Sequence, residues 1–249
     1  MPISPTSDPQ ASYALTPIGV VTSDYPDKFG VPRQPGLAPT ASATLTLLPP
    51  FDDPLAVRGL DAFSHLWVSF VFHQSPERWT PLVRPPRLGG NKKIGVFASR
   101  STHRPNRLGL SLVELEGVDC TNGVRLHLRG ADVVSGTPVV DIKPYLPWAE
   151  AHPNAVAGFA PEAPSAITVR FATTAVAALN RHPDGATLVR LIEEVLRQDP
   201  RPAYQRDKAP SDRRYGVRLK DVDVRFEARS DTAGATELCV VAIERVREA

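Results

Sequence analysis

Apolar residues recur along the first 150 or so positions with the period of β-strands. Thr44 to Leu47 alternates polar and apolar residues, and His65 to His73 is apolar on both faces, as in a fully buried strand. The same patterning predicts further short strands at residues 18–22, 95–98, 111–115, 125–128 and 139–143. Pro, Gly, Asn and Asp separate these runs, which is typical of loops between strands. Many short strands with few helices favour a barrel or a sandwich.

The pattern changes after Ala149 to Pro164, a stretch of small residues and prolines that we predict to be a linker. Beyond it, we expect strands at 167–171, 222–226 and 238–246 and a short helix at 173–180. A second, amphipathic helix is indicated by the apolar residues Leu188, Leu191, Ile192, Val195 and Leu196. Asp184 is its expected N-cap, and Pro200 ends it. The chain is therefore predicted to be mainly β, with a β-rich domain over 12–150, either a barrel or a sandwich, and a small α+β domain over 165–249.

Composition narrows the class of protein. The 249 residues are 42% apolar and 22% charged, which is ordinary for a globular protein, although 26 prolines are many. No run approaches the roughly 20 apolar residues that a membrane span needs. The N-terminal ten residues lack signal-peptide features and are expected to be a short disordered tail. The two cysteines form no CxxC motif, so neither a disulfide framework nor a cysteine zinc site is expected, and a cytoplasmic setting is the simplest interpretation.

Basic charge is concentrated in two windows. Arg78 to Arg107 contains six Arg, two Lys and no acid, for a formal charge of +8. Arg197 to Lys220 contains eight basic and three acidic residues, for +5, so that the remainder carries 2 − 8 − 5 = −11. This segregation suits a polyanionic partner better than a neutral metabolite. A solvated basic face is the alternative, and charge alone does not separate the two.

Several common chemistries are missing from the sequence. There is no GxG turn of a dinucleotide-binding or Rossmann-type sheet, no GxxxxGK[ST] and no GxSxG. His65 and His73 fall on one face of a predicted strand. They would lie ~26 Å apart at ~3.3 Å per residue, too far to share one metal ion, so no metal site is expected. Structural histidines are the alternative interpretation.

Two of the polar loops are rich in arginine and proline. In Phe29 to Leu37, two prolines restrict the backbone, Gly36 allows close approach, and Arg33 and Gln34 supply donors, although a rigid connector would look the same. In Val83 to Ser111, Arg84 and Arg87 flank a stiff Pro-Pro pair. Hydrogen-bonding side chains then crowd the end of that loop, namely Arg100, Ser101, Thr102, His103, Arg104 and Asn106. Guanidinium groups bind phosphate and stack on bases, so this second loop indicates a binding site.

Two further segments carry candidate chemistry. Within Asp132 to Trp148, the turn from Ser135 to Pro138 is expected to present backbone amides and two hydroxyls. The side chains that follow it at alternating positions project to one face, namely Asp141, Lys143 and Tyr145. This row suits a catalytic site or a surface ion pair with a satisfied tyrosine. The last segment, Asp199 to Tyr204, follows the amphipathic helix and is either a binding surface or a helix stop.

At these loops the sequence resembles the TrmO family, also described as TsaA-like proteins. The matching stretches, in family order over residues 18 to about 204, are FGVPRQPGL, GLDAFSHLWVSFVFHQ, VRPPRLGGN, GVFASRSTHRPN, SGTPVVDIKPYLP and QDPRPAY. The departures are Ser135, where the family usually has Asp, and Arg107, where it has a second proline. The last stretch indicates the bacterial form with a C-terminal domain.

The resemblance implies an S-adenosylmethionine-dependent enzyme that methylates N6 of N6-threonylcarbamoyladenosine, just 3′ of the anticodon in certain tRNAs. It also implies a single-sheeted barrel and a homodimer with sites near the subunit interface. The cofactor contacts it implies are Gln34, Pro35, Gly36, Leu37, His73, Gln74, Arg100, Arg104, Leu110, Ser135, Gly136, Thr137 and Pro138. The RNA contacts it implies are Arg33, Arg87, Asn106, Arg201 and Tyr204, with Lys143 and Tyr145 beside them.

Methyl transfer from a sulfonium mainly requires that donor and acceptor be held in line. We therefore hypothesise that Asp141, Lys143 and Tyr145 form a catalytic face that orients the base. One alternative is a non-catalytic RNA-binding β-barrel that uses the same basic loops. Another is a methyltransferase acting on a small molecule or a protein, which the two basic windows disfavour.

Overall fold

The fold is seen in a computed structural model that describes residues 12–206 and 213–246. The expected N-terminal tail, residues 207–212 and the last three residues lie outside this part. The strands are β1 Gly19–Ser23, β2 Ser42–Leu47, β3 His65–Val71, β4 Leu82–Val83, β5 Ile94–Gly95, β6 Leu108–Asp119, β7 Arg125–Arg129, β8 Thr137–Pro144, β9 Thr168–Phe171, β10 Arg214–Leu219, β11 Val222–Ser230 and β12 Thr236–Arg245. The helices are α1 Pro147–Glu150, α2 Thr173–Asn180, α3 Gly185–Leu196 and α4 Ala203–Arg206.

Six strands close into the predicted β-barrel, in the order β1-β2-β7-β6-β3-β8. Alternate residues point inward, so Leu45, Leu66, Leu126 and Val139 are fully buried in one apolar core. Burying each such side chain contributes roughly 1.5–3 kcal/mol. A Cβ at Gly109 on β6 would overlap the ring of Phe70 on β3, so glycine is required where these strands meet.

The direction of the strands places the polar loops at one rim of the barrel. All neighbouring strands are antiparallel. The connections 24–41 between β1 and β2, 72–107 between β3 and β6, and 130–136 between β7 and β8 therefore leave from the same rim. The small β4–β5 hairpin lies within the second of these connections. Three of the four polar loops found in the sequence are thus gathered on one side.

The C-terminal part is a four-stranded sheet, ordered β10-β11-β12-β9, with β9 parallel to β12. Helix α2 contacts β12, and the apolar face of α3 is fully buried, as its spacing predicts. The core of this sheet also contains Tyr25, Ala38 and Ala41 from the loop between β1 and β2. The two parts of the chain are therefore joined by packing as well as by the connection through α1.

The structure corrects several details of the predicted elements. Strand β3 alternates buried and half-buried residues and is not buried on both faces. Only Gly95 of the expected 95–98 strand is extended, because Val96–Ala98 forms a 3₁₀ turn. Asp184 precedes α3 as expected, but its side chain makes no capping hydrogen bond. Strand β10 was not predicted.

The domain boundaries at 150 and 165 stay a prediction. No helix in the described residues is long and apolar enough to cross a membrane.

Candidate functional site

The loop between β1 and β2 carries Gln34 to Leu37 over the rim of the barrel. Gly36 has a φ of +76°, a conformation that favours glycine, and its amide donates to the carbonyl of Gly130 at 2.8 Å. A Cβ at Gly36 would meet nothing within 4 Å, so the outer side of this turn is open. The Gln34 side chain bonds to the Arg33 carbonyl. The loop thus offers an open backbone turn, while the Gly36 amide and the Gln34 side-chain amide are each bonded within the protein.

A cleft of about 200 Å³ lies between this loop and the outer wall of the barrel. It is lined by Pro35, Gly36, Pro39, His65, Leu112, Glu114, Arg129 and Gly130. His65 in turn contacts the ring of Tyr145, with ring centroids 6.4 Å apart. The cleft therefore connects the expected cofactor loop with one end of the expected catalytic row.

The turn from Ser135 to Pro138 faces His73, since Nε2 of His73 lies 3.9 Å from the position that a Cβ on Gly136 would take. The turn does not present its amides as the sequence suggested. The amides of Ser135 and Gly136 donate to carbonyls of Tyr25 and Val21, at 2.8 Å and 2.7 Å. The Thr137 amide and hydroxyl both donate to the carbonyl of Val134, the residue just before the turn. What remains toward His73 is a small space beside a glycine with a φ of +83°.

His73 and Gln74 follow the last residue of β3 at the same rim. The Gln74 carbonyl accepts a hydrogen bond from Nζ of Lys28 in the loop between β1 and β2. Contacts made by Lys28, Gly36 and Gly136 therefore join the three connections that carry the expected cofactor residues. Lys28 was missed by sequence reasoning because nothing in its local pattern sets it apart.

The arginine-rich connection is held by its own backbone. Arg104 donates to the carbonyl of Ser99 at 2.8 Å, and its guanidinium lies 5.9 Å from the ring centre of Phe97. Arg107, at a left-handed φ of 51°, donates to the Ser75 carbonyl and pairs with Glu77 at 3.5 Å. These contacts fix the path of the loop. The side chains of Arg100 and Asn106 are left exposed, and Leu110 is exposed on the outer wall of β6.

A half-buried acid that the sequence did not single out, Asp132, lies in the connection between β7 and β8. Asp132 accepts a hydrogen bond of 2.5 Å from Ser111, an inward-facing residue of β6. Burial raises the pKa of Asp132, while the Ser111 hydroxyl and the nearby charge of Arg100 oppose the shift. Asp132 therefore links the barrel interior to the arginine-rich connection.

The predicted row on β8 does share one outer face. Asp141 lies opposite Ser69, Lys143 lies opposite Trp67, and both charged side chains are exposed. Tyr145 packs edge-on against Trp67, with ring centroids 6.0 Å apart.

Lys143 pairs with Glu150 of α1 at 3.6 Å, and Glu150 also accepts from the Trp67 indole at 2.8 Å. Hydrogen bonds from the Leu146 amide and the Trp67 indole lower the pKa of Glu150. Glu150 is a further residue that the sequence did not reveal, because it had been placed in the linker.

The last predicted segment lies near Arg33. Partial desolvation, and then the nearby cation of Arg206, lower the pKa of Arg33, while Asp199 opposes the shift. Arg201 is only 2% exposed and forms a two-pronged ion pair with Asp199, with both N–O distances 2.8 Å. Its guanidinium is thus turned inward, whereas Tyr204 is exposed. An RNA contact by Arg201 stays a prediction, and its geometry indicates that it shapes the segment.

The rim fits a nucleoside-like methyl donor. The turns at Gly36 and Gly136 leave space that a side chain would fill, and they lie beside the polar groups of Gln34 and His73. No group of three potential metal ligands is found among residues 12–206 and 213–246.

Known proteins and protein families match nearly the whole length of this chain. A family model described as the tRNA-methyltransferase O N-terminal domain matches residues 20–151, and the TrmO C-terminal domain model matches residues 164–245. The chain is 51% identical over 223 residues to the Escherichia coli tRNA (adenine(37)-N6)-methyltransferase, covering 87% of this chain and 93% of that protein. It is 49% identical to a putative S-adenosylmethionine-dependent methyltransferase, RcsF, of Pseudomonas aeruginosa, covering 86% and 92%.

A crystal structure of TrmO from Pseudomonas aeruginosa superposes on it with a TM-score of 0.77 at 39% identity, covering 94% of this chain and 99% of that one. Because two family models together match residues 20–151 and 164–245 and a relative is 51% identical over 87% of the chain, the chain belongs to the TrmO family.

Proposed function

We propose that this chain is an S-adenosylmethionine-dependent tRNA methyltransferase that methylates N6 of N6-threonylcarbamoyladenosine at position 37, giving the N6-methyl product. The observation that carries the proposal is that the three connections bearing the family motifs leave the same rim of the barrel. The names of relatives at 51% and 49% identity support the reaction and the methyl donor. A cytoplasmic location is part of the proposal, because that is where tRNA is modified.

The cofactor supplies a methyl group that is already activated by a positively charged sulfur. The chain's own task is to hold donor and acceptor in line, which can lower the barrier by several kcal/mol. Two loop segments would contact the methyl donor from opposite sides, namely Gln34 to Leu37 and Ser135 to Pro138. His73 and Gln74 would lie between them. Arg100, Arg104 and Leu110 would close the third side.

The outer row on β8 would orient the base. Asp141 and Lys143 are exposed on one face, and Tyr145 reaches the cleft beside Gly36 through His65. The ion pair with Glu150 limits the motion of the Lys143 ammonium. Because a threonylcarbamoyl N6–H resembles that of a urea, its loss requires only a weak base, and a carboxylate at hydrogen-bond distance would serve.

The RNA would be held by exposed cations and an aromatic ring. Arg33 and Arg87 are exposed at the rim connections, and Tyr204 is exposed on α4. Single-stranded loops are usually bound by phosphate contacts and by stacking on such side chains. The anticodon loop, which carries position 37, is a target of this kind.

A homodimer is also part of the proposal. Phe97 is 74% exposed and Leu110 is 49% exposed beside the expected cofactor residues. Exposed apolar groups at this position suit a second copy of the chain that completes the site. Light scattering after size-exclusion chromatography should give twice the mass of one chain, and a monomer would contradict the dimer.

The decisive experiment is the transfer of a labelled methyl group from S-adenosylmethionine to tRNA with and without the threonylcarbamoyl group. Label should enter only the modified tRNA, and nucleoside analysis should locate it on N6 at position 37. Binding of tRNA without any S-adenosylmethionine binding in calorimetry would instead identify a non-catalytic RNA-binding barrel. Label transfer that survives ribonuclease treatment would indicate a protein or small-molecule acceptor.

Asp141→Asn tests the orienting face. We expect turnover to fall about tenfold or more with tRNA binding preserved, because the base would be held less firmly. Asp61→Asn is the matched control, since Asp61 is an exposed acid on a connection at the opposite rim. Normal turnover of the Asp141 variant would contradict the assignment.

A further inference from the structure

The loop between β1 and β2, residues 24–41, is too long and irregular to hold one shape unaided. It contains no strand or helix, yet it must present Gln34 to Leu37 in a defined conformation. Ordering a backbone costs roughly 1–2 kcal/mol per residue, so the loop requires contacts on both sides. On the barrel side these include the Gly36–Gly130 hydrogen bond and the bond from the Ser42 amide to Asp24, at 2.8 Å each.

The C-terminal sheet and helix α3 supply the other side. Tyr25, Ala38 and Ala41 are each 1% exposed and belong to the apolar core of that domain. A Cβ at Gly30 would overlap Val217 of β10, so the loop backbone lies directly on the sheet. The loop between β1 and β2 therefore packs as part of the apolar core of the C-terminal domain.

Two polar side chains hold the segment that follows the cofactor motif, namely Glu194 of α3 and Gln198 in the turn just after this helix. Both oxygens of Glu194 accept from Thr40, at 2.9 Å from the amide and 2.8 Å from the hydroxyl. Gln198 donates to the carbonyl of Leu37 at 3.2 Å and to the Glu194 carbonyl at 2.9 Å. The second of these bonds ties Gln198 to the last turn of α3, so the two residues act together.

We infer that Glu194 and Gln198 are positioning residues of the C-terminal domain that fix the cofactor-binding loop of the barrel. The helix thereby sets the affinity for the methyl donor without touching it. The inference rests on the proposed function for its binding readout. Its structural readout, the order of the loop, does not depend on the reaction.

Glu194→Ala, Gln198→Ala and the milder Glu194→Gln should be compared with Glu193→Ala in the full chain. Glu193 is the exposed neighbour on the same helix and is the matched control. By calorimetry, Glu194→Ala should weaken S-adenosylmethionine binding about tenfold, equivalent to about 1.4 kcal/mol. Glu194→Gln and Gln198→Ala should have smaller effects, and Glu193→Ala none. Turnover at saturating cofactor should change less than twofold, so the effect falls on KM for the cofactor.

Hydrogen exchange of the unliganded chain gives the independent test. The amides of Gly36 and Thr40 should exchange faster in Glu194→Ala than in Glu193→Ala, while those of strand β3 should not change. Equal exchange and equal cofactor affinity in the two variants would overturn the inference. If the unaltered chain binds no S-adenosylmethionine, the proposed function fails, and the exchange result alone decides whether α3 orders the loop.

Discussion

Residues 78–107 and 197–220 both concentrate basic charge, +8 and +5, but their guanidinium groups are used differently. In the first window, most of the cations are exposed at the rim, namely Arg78, Arg84, Arg87, Lys92, Lys93 and Arg100. In the second, Arg201 is buried against Asp199 and Arg214 pairs with Glu227 at 2.9 Å. Formal charge along a chain therefore overstates what a polyanion can reach. The first window is the better candidate for an RNA footprint, and the second is partly a structural network.

The largest effect should come from breaking the buried pair of the second window. Asp199→Asn removes a charge from beside Arg201 while an asparagine still tolerates the left-handed φ of 47°. Leaving a buried guanidinium without its partner should lower the free energy of unfolding by about 3 kcal/mol. Urea denaturation would measure the change. Asp223→Asn, which removes the partner of the more exposed Arg225, should cost less than ~1 kcal/mol. Equal losses would mean that the two networks do not differ.

The second-largest effect should be a loss of tRNA affinity when cations of the first window, residues 78–107, are removed. Replacing Arg84, Lys92 and Lys93 together by Ala should weaken tRNA binding about tenfold to a hundredfold at physiological salt. The slope of log affinity against log salt should fall by about 2–3. A matched triple on the C-terminal sheet, Arg214, Arg225 and Arg229 to Ala, removes the same charge from ion-paired positions. Equal loss with both triples would mean that ion pairing does not keep arginines from binding RNA, which would contradict the explanation given for the difference between the windows.

The smallest effect concerns Asp132, the half-buried acid that interacts with the charge of Arg100 in the first window. Because burial raises the pKa of Asp132, the native chain holds a proton more tightly than the unfolded chain. Stability should therefore fall as pH rises from the ordinary aspartate pKa through the raised native value. Asp132→Asn keeps an acceptor for Ser111 and should raise Tm modestly at neutral pH. Melting curves against pH should show that gain vanishing in acid, and a gain that persists there would contradict the account.

Elements with a strong local signal were predicted well. The short helix at 173–180 was predicted, and the buried face of α3 was predicted from apolar spacing alone, because that spacing decides which face packs. Strand β10 was missed because Val217 and Leu219 are its only buried residues and arginines surround them. Strand β3 was predicted to be buried on both faces because Trp67 is apolar. In the structure the outer face of β3 is half-buried, and the Trp67 indole there donates a hydrogen bond to Glu150.

The candidate site was predicted in its loops but not in its details. The family motifs identified which loops carry the candidate site. The direction of the strands then places three of these loops at one rim of the barrel. Which amides are already bonded, as at Ser135 and Gly136, depends on how the turn packs on β1. The inward turn of Arg201 depends on the left-handed backbone at Asp199. Such features arise from tertiary contacts that no local pattern carries.

The packing of Tyr25, Ala38 and Ala41 into the C-terminal core affects how this molecule can be divided. A cut in the connection near residue 155 would separate the two family domains by sequence, yet it would leave a barrel fragment with a bare apolar loop. The remaining fragment would have a matching hole in its interior. Expression of either half alone would thus invite aggregation, whereas co-expressed halves have a ready-made surface on which to reassemble.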